Sequence, residues 1–207
     1  MRPAVNQGES YVQRPTSCGR AVPGVTVEIW DDNSRKVPPE TVGRVMIKGA
    51  SIMKEYWRSP EATAETITRE GYLETGDVGR MDKEGYVYIM DRSKDLIIRG
   101  GENISASEVE AAVYEHPGVS ECSVVAVPHP TLQEEVGVAV YPRKGFERMT
   151  LSDLLGATQS LAAFKRPAHL FIYSEPLPRG ATGKLLKKQV KEDIKSGKLK
   201  KTISAKL

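Results

Sequence analysis

The chain has 207 residues, of which 28% are charged and 39% hydrophobic, and its formal charge is +3. That balance suits a globular protein of one domain or two modest ones, and it excludes a disordered or fibrous chain. Two cysteines, far apart and outside any C-x-x-C pair, exclude a disulfide scaffold, and no apolar run nears the roughly 20 residues of a membrane span. His116, His129 and His169 are scattered without metal-ligand spacing, so no metal site is expected. Between Lys184 and Leu207 nine lysines face two acids, giving this stretch +7 and the remainder −4. Without aromatic interleaving, such a tail reads as a solvated helix end and terminus, and no nucleic-acid partner is expected.

Residues 1–18 are polar, lack a hydrophobic period and read as irregular. Turn chemistry at Gly19 to Gly24 leads into residues 25–30, whose alternation predicts a strand, and residues 43–48 predict a second. Pro60 opens a short helix over 60–69, and further strands are predicted around Tyr72 and over 85–90. Many short strands with little helix give residues 1–90 the character of a small sheet or barrel segment. After Asp91 the pattern changes. A strand over 95–99 meets Gly100 and Gly101, and the stretch from Ser105 to Glu108 has the form of a capping box opening a helix with Val109 and Val113 on one face. Strands over 121–127 and 135–141, a helix over 151–163, a strand over 169–173 and a helix over 184–194 complete an α+β unit, 91–207, with the boundary at Asp91 and Arg92.

Several residues carry chemistry of their own. Asp77 follows Thr75 and Gly76 in what reads as a turn between strands. An ionised carboxylate only accepts hydrogen bonds, so it suits two adjacent hydroxyls such as a ribose diol, or it caps its own turn. Arg92 has a bland reading as a surface ion pair, and Gly100 with Gly101 as a tight turn between strand and helix. The stretch Gly180-Ala-Thr-Gly-Lys184 is not a Walker loop: only two residues separate its glycines, and Leu185 follows the lysine where Ser or Thr belongs.

Taken in order, Tyr72-Leu-Glu-Thr-Gly-Asp77, Asp91-Arg-Ser-Lys-Asp-Leu-Ile-Ile-Arg-Gly-Gly-Glu-Asn103 and Pro178-Arg-Gly-Ala-Thr-Gly-Lys184 resemble the C-terminal part of the adenylate-forming enzymes. These include acyl-CoA synthetases, luciferases and peptide-synthetase adenylation domains. Residues 43–49, 127–130 and 164–167 support the match, which spans roughly Gly19 to Lys191. The stretch Gly100-Gly-Glu-Asn-Ile104 is most similar to fatty-acyl and aryl CoA ligases.

The resemblance implies a short β-rich remnant of the large N-terminal domain over 1–90 and the small mobile C-terminal α+β domain over 91–207. It implies that Asp77 and Arg92 bind the AMP ribose, that Lys94 is the hinge about which the small domain swings, and that Gly101 lets the backbone approach the CoA arm. It implies that Lys184 reaches the bond between acyl carboxylate and α-phosphate during adenylation. The implied activity is ATP-dependent acid–CoA ligation of a fatty or aromatic carboxylic acid, through acyl-AMP, with ATP, CoA and Mg²⁺ as the small molecules and no metal ligand in this chain. Alternatives are an amino-acid adenylation domain that loads a carrier protein, and a non-catalytic fragment that binds nucleotide or a partner. The Ser/Thr-Gly-rich phosphate loop and the aromatic-Gly-x-Thr-Glu element of the family are missing from the sequence, so the chain alone is expected to be inactive. The terminal Ala205-Lys206-Leu207 resembles a Ser-Lys-Leu peroxisomal address, implying an import receptor and a peroxisomal location in a eukaryote, and a cytoplasmic one otherwise.

Overall fold

The computed structural model describes residues 3–199, 201 and 202. They divide into two compact units, with the break between Lys94 and Asp95.

The first unit contains β1 (Ala4–Val5), α1 (Glu9–Gln13), β2 (Arg20–Ala21), β3 (Val25–Trp30), β4 (Gly43–Gly49), α2 (Pro60–Thr66), β5 (Leu73–Met81) and β6 (Val87–Arg92). Among the described residues, β3 to β6 form a four-stranded sheet in chain order, each pair antiparallel, as local connections favour. Val27 and Ile29 of β3 join Val45 and Ile47 of β4 and Val87 of β6 in one small apolar cluster. Alternate residues of each strand therefore share a face, as the pleat requires.

Residues 3–18 are more ordered than their composition suggests. β1 pairs with β2, and the Asn6 side-chain amide donates to the carbonyls of Arg14 at 2.7 Å and Ser17 at 3.1 Å. No residue of α1 is buried, so polar bonds rather than an apolar stripe hold this segment, and no hydrophobic period announces it. α2 ends earlier than the sequence suggests, because Ile67 is already extended and bridges Leu73.

The second unit contains β7 (Ile97–Arg99), β8 (Glu102–Ile104), α3 (Ala106–Tyr114), β9 (Val119–His129), β10 (Gln133–Pro142), α4 (Leu151–Ala157), β11 (His169–Ile172), α5 (Lys187–Lys195) and β12 (Lys201–Thr202). Its strands make one six-stranded sheet among the described residues. β9 and β10 form a long antiparallel hairpin, whereas β10 and β11 run parallel and need the crossover that α4 supplies. Both faces of the sheet are covered. Val124, Val136, Val138 and Leu170 meet Val109 and Val113 of α3 and Leu154 of α4, while Val125, Ala139, Phe171 and Tyr173 meet Val190 of α5. Double-sided burial explains why β9 and β10 carry adjacent apolar residues as well as alternating ones.

α3 begins where the sequence indicates: the Ser105 hydroxyl accepts the Glu108 amide at 3.2 Å. The Glu108 carboxylate instead takes both oxygens to Lys165, at 2.8 Å each. α4 starts with a complete capping box at Thr150 and Asp153 but stops at Ala157 rather than continuing to 163. There the buried Thr158 hydroxyl bonds back to the Leu154 carbonyl at 3.0 Å, and Leu161 reaches the core from a turn. The mixed architecture agrees with the α+β expectation.

Candidate functional site

Asp77 sits in a bulged strand, not in a turn between strands. Across β4 and β5, Arg44 pairs with Val78 and Met46 with Glu74, so three residues, Thr75 to Asp77, oppose Val45 alone. Gly76 supplies the positive φ of 73° that the bulge needs, and Thr75 anchors it by donating to the Val45 carbonyl at 3.0 Å and accepting the Asp77 amide at 3.1 Å. A second register shift, between Val78 and Gly79, brings Asp77 opposite Arg92 across β5 and β6. The Arg92 Nε lies 3.4 Å from the Asp77 Oδ1, with the carboxylate partly covered and the guanidinium mostly open. Asp77 and Thr75 form the polar wall of a pocket of about 280 Å³ whose other lining includes Val27, Val45, Ile47 and Ile89. A carboxylate and a guanidinium on adjacent strands, beside an apolar floor, offer an acceptor and a donor to a polyhydroxyl group. Lys94, in a 3₁₀ turn over Ser93–Asp95, is the last residue of the first unit.

In the second unit, Gly100 and Gly101 join strand to strand and not strand to helix. β7 and β8 are short, pairing Ile97 with Ile104 and Arg99 with Glu102, and the two glycines are the whole loop. Their φ angles of 59° and 89° match the two-residue hairpin turn that needs positive φ at both positions. The turn is tied to the β9–β10 corner: the Gly100 amide donates to the Leu132 carbonyl at 2.9 Å, and the Ile98 amide to the Glu134 carboxylate at 2.8 Å. A Cβ at Gly101 would meet nothing within 4 Å, so its bare backbone faces open space.

Lys184 precedes the terminal helix by three residues instead of starting it. It stands, exposed, on a small hairpin loop. Arg179 bridges Leu185, the Leu186 amide donates to the Pro178 carbonyl at 2.8 Å, and the Gly180 amide donates to the carbonyl of Lys184 itself at 2.8 Å. Gly183 takes the positive φ of 77° that turns the chain into Lys184. Four charged residues around this loop escaped the sequence reading. Glu121 of β9 lies 3.2 Å from Arg179, and Glu110 of α3 lies 3.0 Å from Lys187. A carboxylate and its partner separated by some 58 or 77 positions leave no local spacing signal. Beside Glu110, the Cys122 thiol is pushed up to about 12, first by burial and then by that carboxylate.

The structure thus brings Asp77 together with Arg92 in the first unit, and places Gly101 and Lys184 on separate turns of the second. Among the described residues no group of three or more His, Cys, Asp or Glu is placed to hold a metal ion, and no helix is long and apolar enough to cross a membrane.

Two family models match: the AMP-binding enzyme over residues 3–57 and the AMP-binding enzyme C-terminal domain over residues 108–184. The chain belongs to the adenylate-forming, AMP-binding enzyme family. It is 36% identical over 189 residues to a malonate–CoA ligase of Arabidopsis thaliana, covering 86% of this chain and 30% of that protein. It is 41% identical over 160 residues to a butyrate–CoA ligase of the same plant described as peroxisomal, covering 76% and 28%. The structure of o-succinylbenzoate CoA synthetase from Bacillus subtilis, in complex with its acyl-adenylate intermediate, superposes with a TM-score of 0.79 at 33% identity, covering 88% of this chain and 37% of that one. The chain therefore spans about a third of the length of these three relatives, each of which is named as a CoA ligase or CoA synthetase.

Proposed function

We propose that these residues form the ribose-binding edge and the mobile C-terminal domain of an ATP-dependent acid–CoA ligase. The observation that carries the reading is the Asp77–Arg92 pair, set side by side by the β5–β6 register, with Asp77 lining an apolar pocket. Asp77 would accept hydrogen bonds from the ribose hydroxyls of AMP, and Arg92 would donate to the same sugar. Lys184, a compact ammonium on a flexible stem, would neutralise charge on the phosphoryl oxygens as acyl carboxylate attacks the α-phosphate and pyrophosphate leaves. The C-terminal domain would then swing about Lys94, where a few residues absorb the change in φ and ψ. CoA thiolate would attack the acyl-AMP carbonyl, releasing AMP, with its pantetheine arm passing the side-chain-free Gly101 turn. Mg²⁺ would travel with the ATP phosphates, and no residue of this chain is assigned to it.

The test separates the two half-reactions in a longer protein that contains this chain. Lys184→Ala should cripple acyl-AMP formation and spare CoA transfer to preformed acyl-AMP. Gly101→Leu should do the reverse, and Gly101→Ala, which shares the positive-φ strain without the bulk, serves as its control. Equal loss in both half-reactions for Lys184→Ala would sink the assignment. The 207-residue chain by itself should make no acyl-AMP, since it lacks a phosphate loop to fix ATP in attack geometry. Malonate, butyrate and o-succinylbenzoate relatives leave the acid unassigned. Ala205-Lys206-Leu207 lies outside the described residues; its reading as a peroxisomal address stands on the letters, with one peroxisomal relative in support. A reporter carrying residues 196–207 should become punctate in eukaryotic cells, and a diffuse reporter would reject it.

A further inference from the structure

We propose that Arg179 is a strut that holds Lys184 in position, and that Glu121 is its footing. This rests on the adenylating role given to Lys184 above. The Arg179 guanidinium spans two anchors: its Nη2 lies 3.2 Å from the Glu121 Oε2, and its Nη1 donates to the Gly183 carbonyl at 3.0 Å. That carbonyl belongs to the peptide bond leading into Lys184, so the strut reaches the residue's own backbone. Glu121 is itself fixed, because the same Oε2 accepts the Leu177 amide at 3.1 Å. The footing is on β9, which the sheet holds along the length of β10.

The far end of the loop is tied in the same way. The Glu110 Oε1 accepts the Val124 amide at 2.9 Å and lies 3.0 Å from the Lys187 ammonium, three residues beyond Lys184. Each carboxylate thus carries one backbone amide and one cation, and the hairpin is tied at both feet while its tip stays exposed. An isolated surface ion pair contributes little, since two long side chains must be ordered in high dielectric. Here the carboxylates are mostly covered, at 21% and 20% exposure, and the planar guanidinium fork suits two acceptors at once. A flexible lysine is useful at a reacting phosphate only if its Cα is held, because the stem already costs rotamer entropy when ordered.

Arg179→Met removes the strut, Arg179→Lys keeps the charge without the fork, and Glu121→Gln removes the charged footing. Hydrogen exchange of the Gly180, Gly183 and Leu186 amides in the 207-residue chain reads the loop directly. In the longer protein, acyl-AMP formation and thioester formation from preformed acyl-AMP are read separately. Arg179→Met and Glu121→Gln should lose loop protection and lower kcat of acyl-AMP formation ~10- to 100-fold, with KM for ATP and thioester formation unchanged. Arg179→Lys should recover part of the loss, and the Arg179→Met, Glu121→Gln double variant should be no worse than either single one. Unchanged loop protection would overturn the proposal, as would equal decline of both half-reactions or an undiminished rate of adenylation. Should Lys184→Ala adenylate normally, the functional assignment fails on its own, and the exchange measurement still decides whether the strut holds the loop.

Discussion

Asp193 and Tyr173 give the second unit a buried polar contact whose removal has a calculable cost. Asp193 is 4% exposed and Tyr173 6%, and the tyrosine hydroxyl donates to the Asp193 Oδ2 at 2.8 Å. Gln189 donates to Oδ1 at 3.0 Å, and the Lys198 ammonium lies 3.4 Å from the same atom. Tyr173→Phe removes one hydrogen bond to a charged acceptor but leaves Asp193 two donors, so it should cost about 1.5–3 kcal/mol. Asp193→Ala loses the same bond and strands the buried hydroxyl, so about 3–4 kcal/mol is expected. The double variant should cost scarcely more than Asp193→Ala, because both changes break one contact. Urea unfolding followed by far-UV circular dichroism measures this. Both tryptophans, Trp30 and Trp57, belong to the first unit, so their fluorescence transition should not move. Additive single costs, or less than about 1 kcal/mol for Asp193→Ala, would refute the reasoning. Acidity adds a second check. Burial alone would raise the Asp193 carboxyl, but the donors from Gln189, Tyr173 and Lys198 outweigh it and hold the folded value below the ordinary one. Stability from this group is therefore present above the unfolded pKa and lost as pH falls through the lower folded one. The advantage of the native chain over Asp193→Asn should shrink in acid. Tyr173 behaves oppositely: burial and then the Asp193 carboxylate raise its hydroxyl, so its contribution is lost only as pH rises beyond the ordinary 10.0.

Cys18 is exposed and Cys122 buried, with its thiol pushed up to about 12. A disulfide reagent at about pH 8 should titrate one thiol of the native chain quickly and the second only on unfolding, and equal rates would contradict the burial. Asp77→Ala should weaken AMP binding to the longer protein about tenfold or more, as loss of a charge-assisted hydrogen bond requires, measured by calorimetry; unchanged affinity would remove Asp77 from the ribose site.

The sequence by itself determined the strands over 25–30 and 43–48 and the paired strands over 121–127 and 135–141, the last three of which the structure extends by one to four residues at their ends, because alternation and β-branched residues dictate a face. It determined the start of α3, because a serine followed three residues later by glutamate satisfies orphan amides locally. The motifs that contain Asp77, Arg92, Gly101 and Lys184 were legible in the same way, from their neighbours in sequence. What each of these stands on was decided by tertiary structure. That Asp77 lies on a bulge and meets Arg92 depends on the registers of β4, β5 and β6 together, which no single strand encodes. Gly100 and Gly101 read alike in any tight turn, and only the pairing of β7 with β8 made theirs a hairpin. The polar segment before Gly19 is ordered by Asn6 reaching carbonyls 8 and 11 residues away, a bond with no periodicity to betray it. The carboxylates that hold the Lys184 loop lie tens of residues from their cations. A charge far along the chain carries no sign of its partner until the sheet has folded them together.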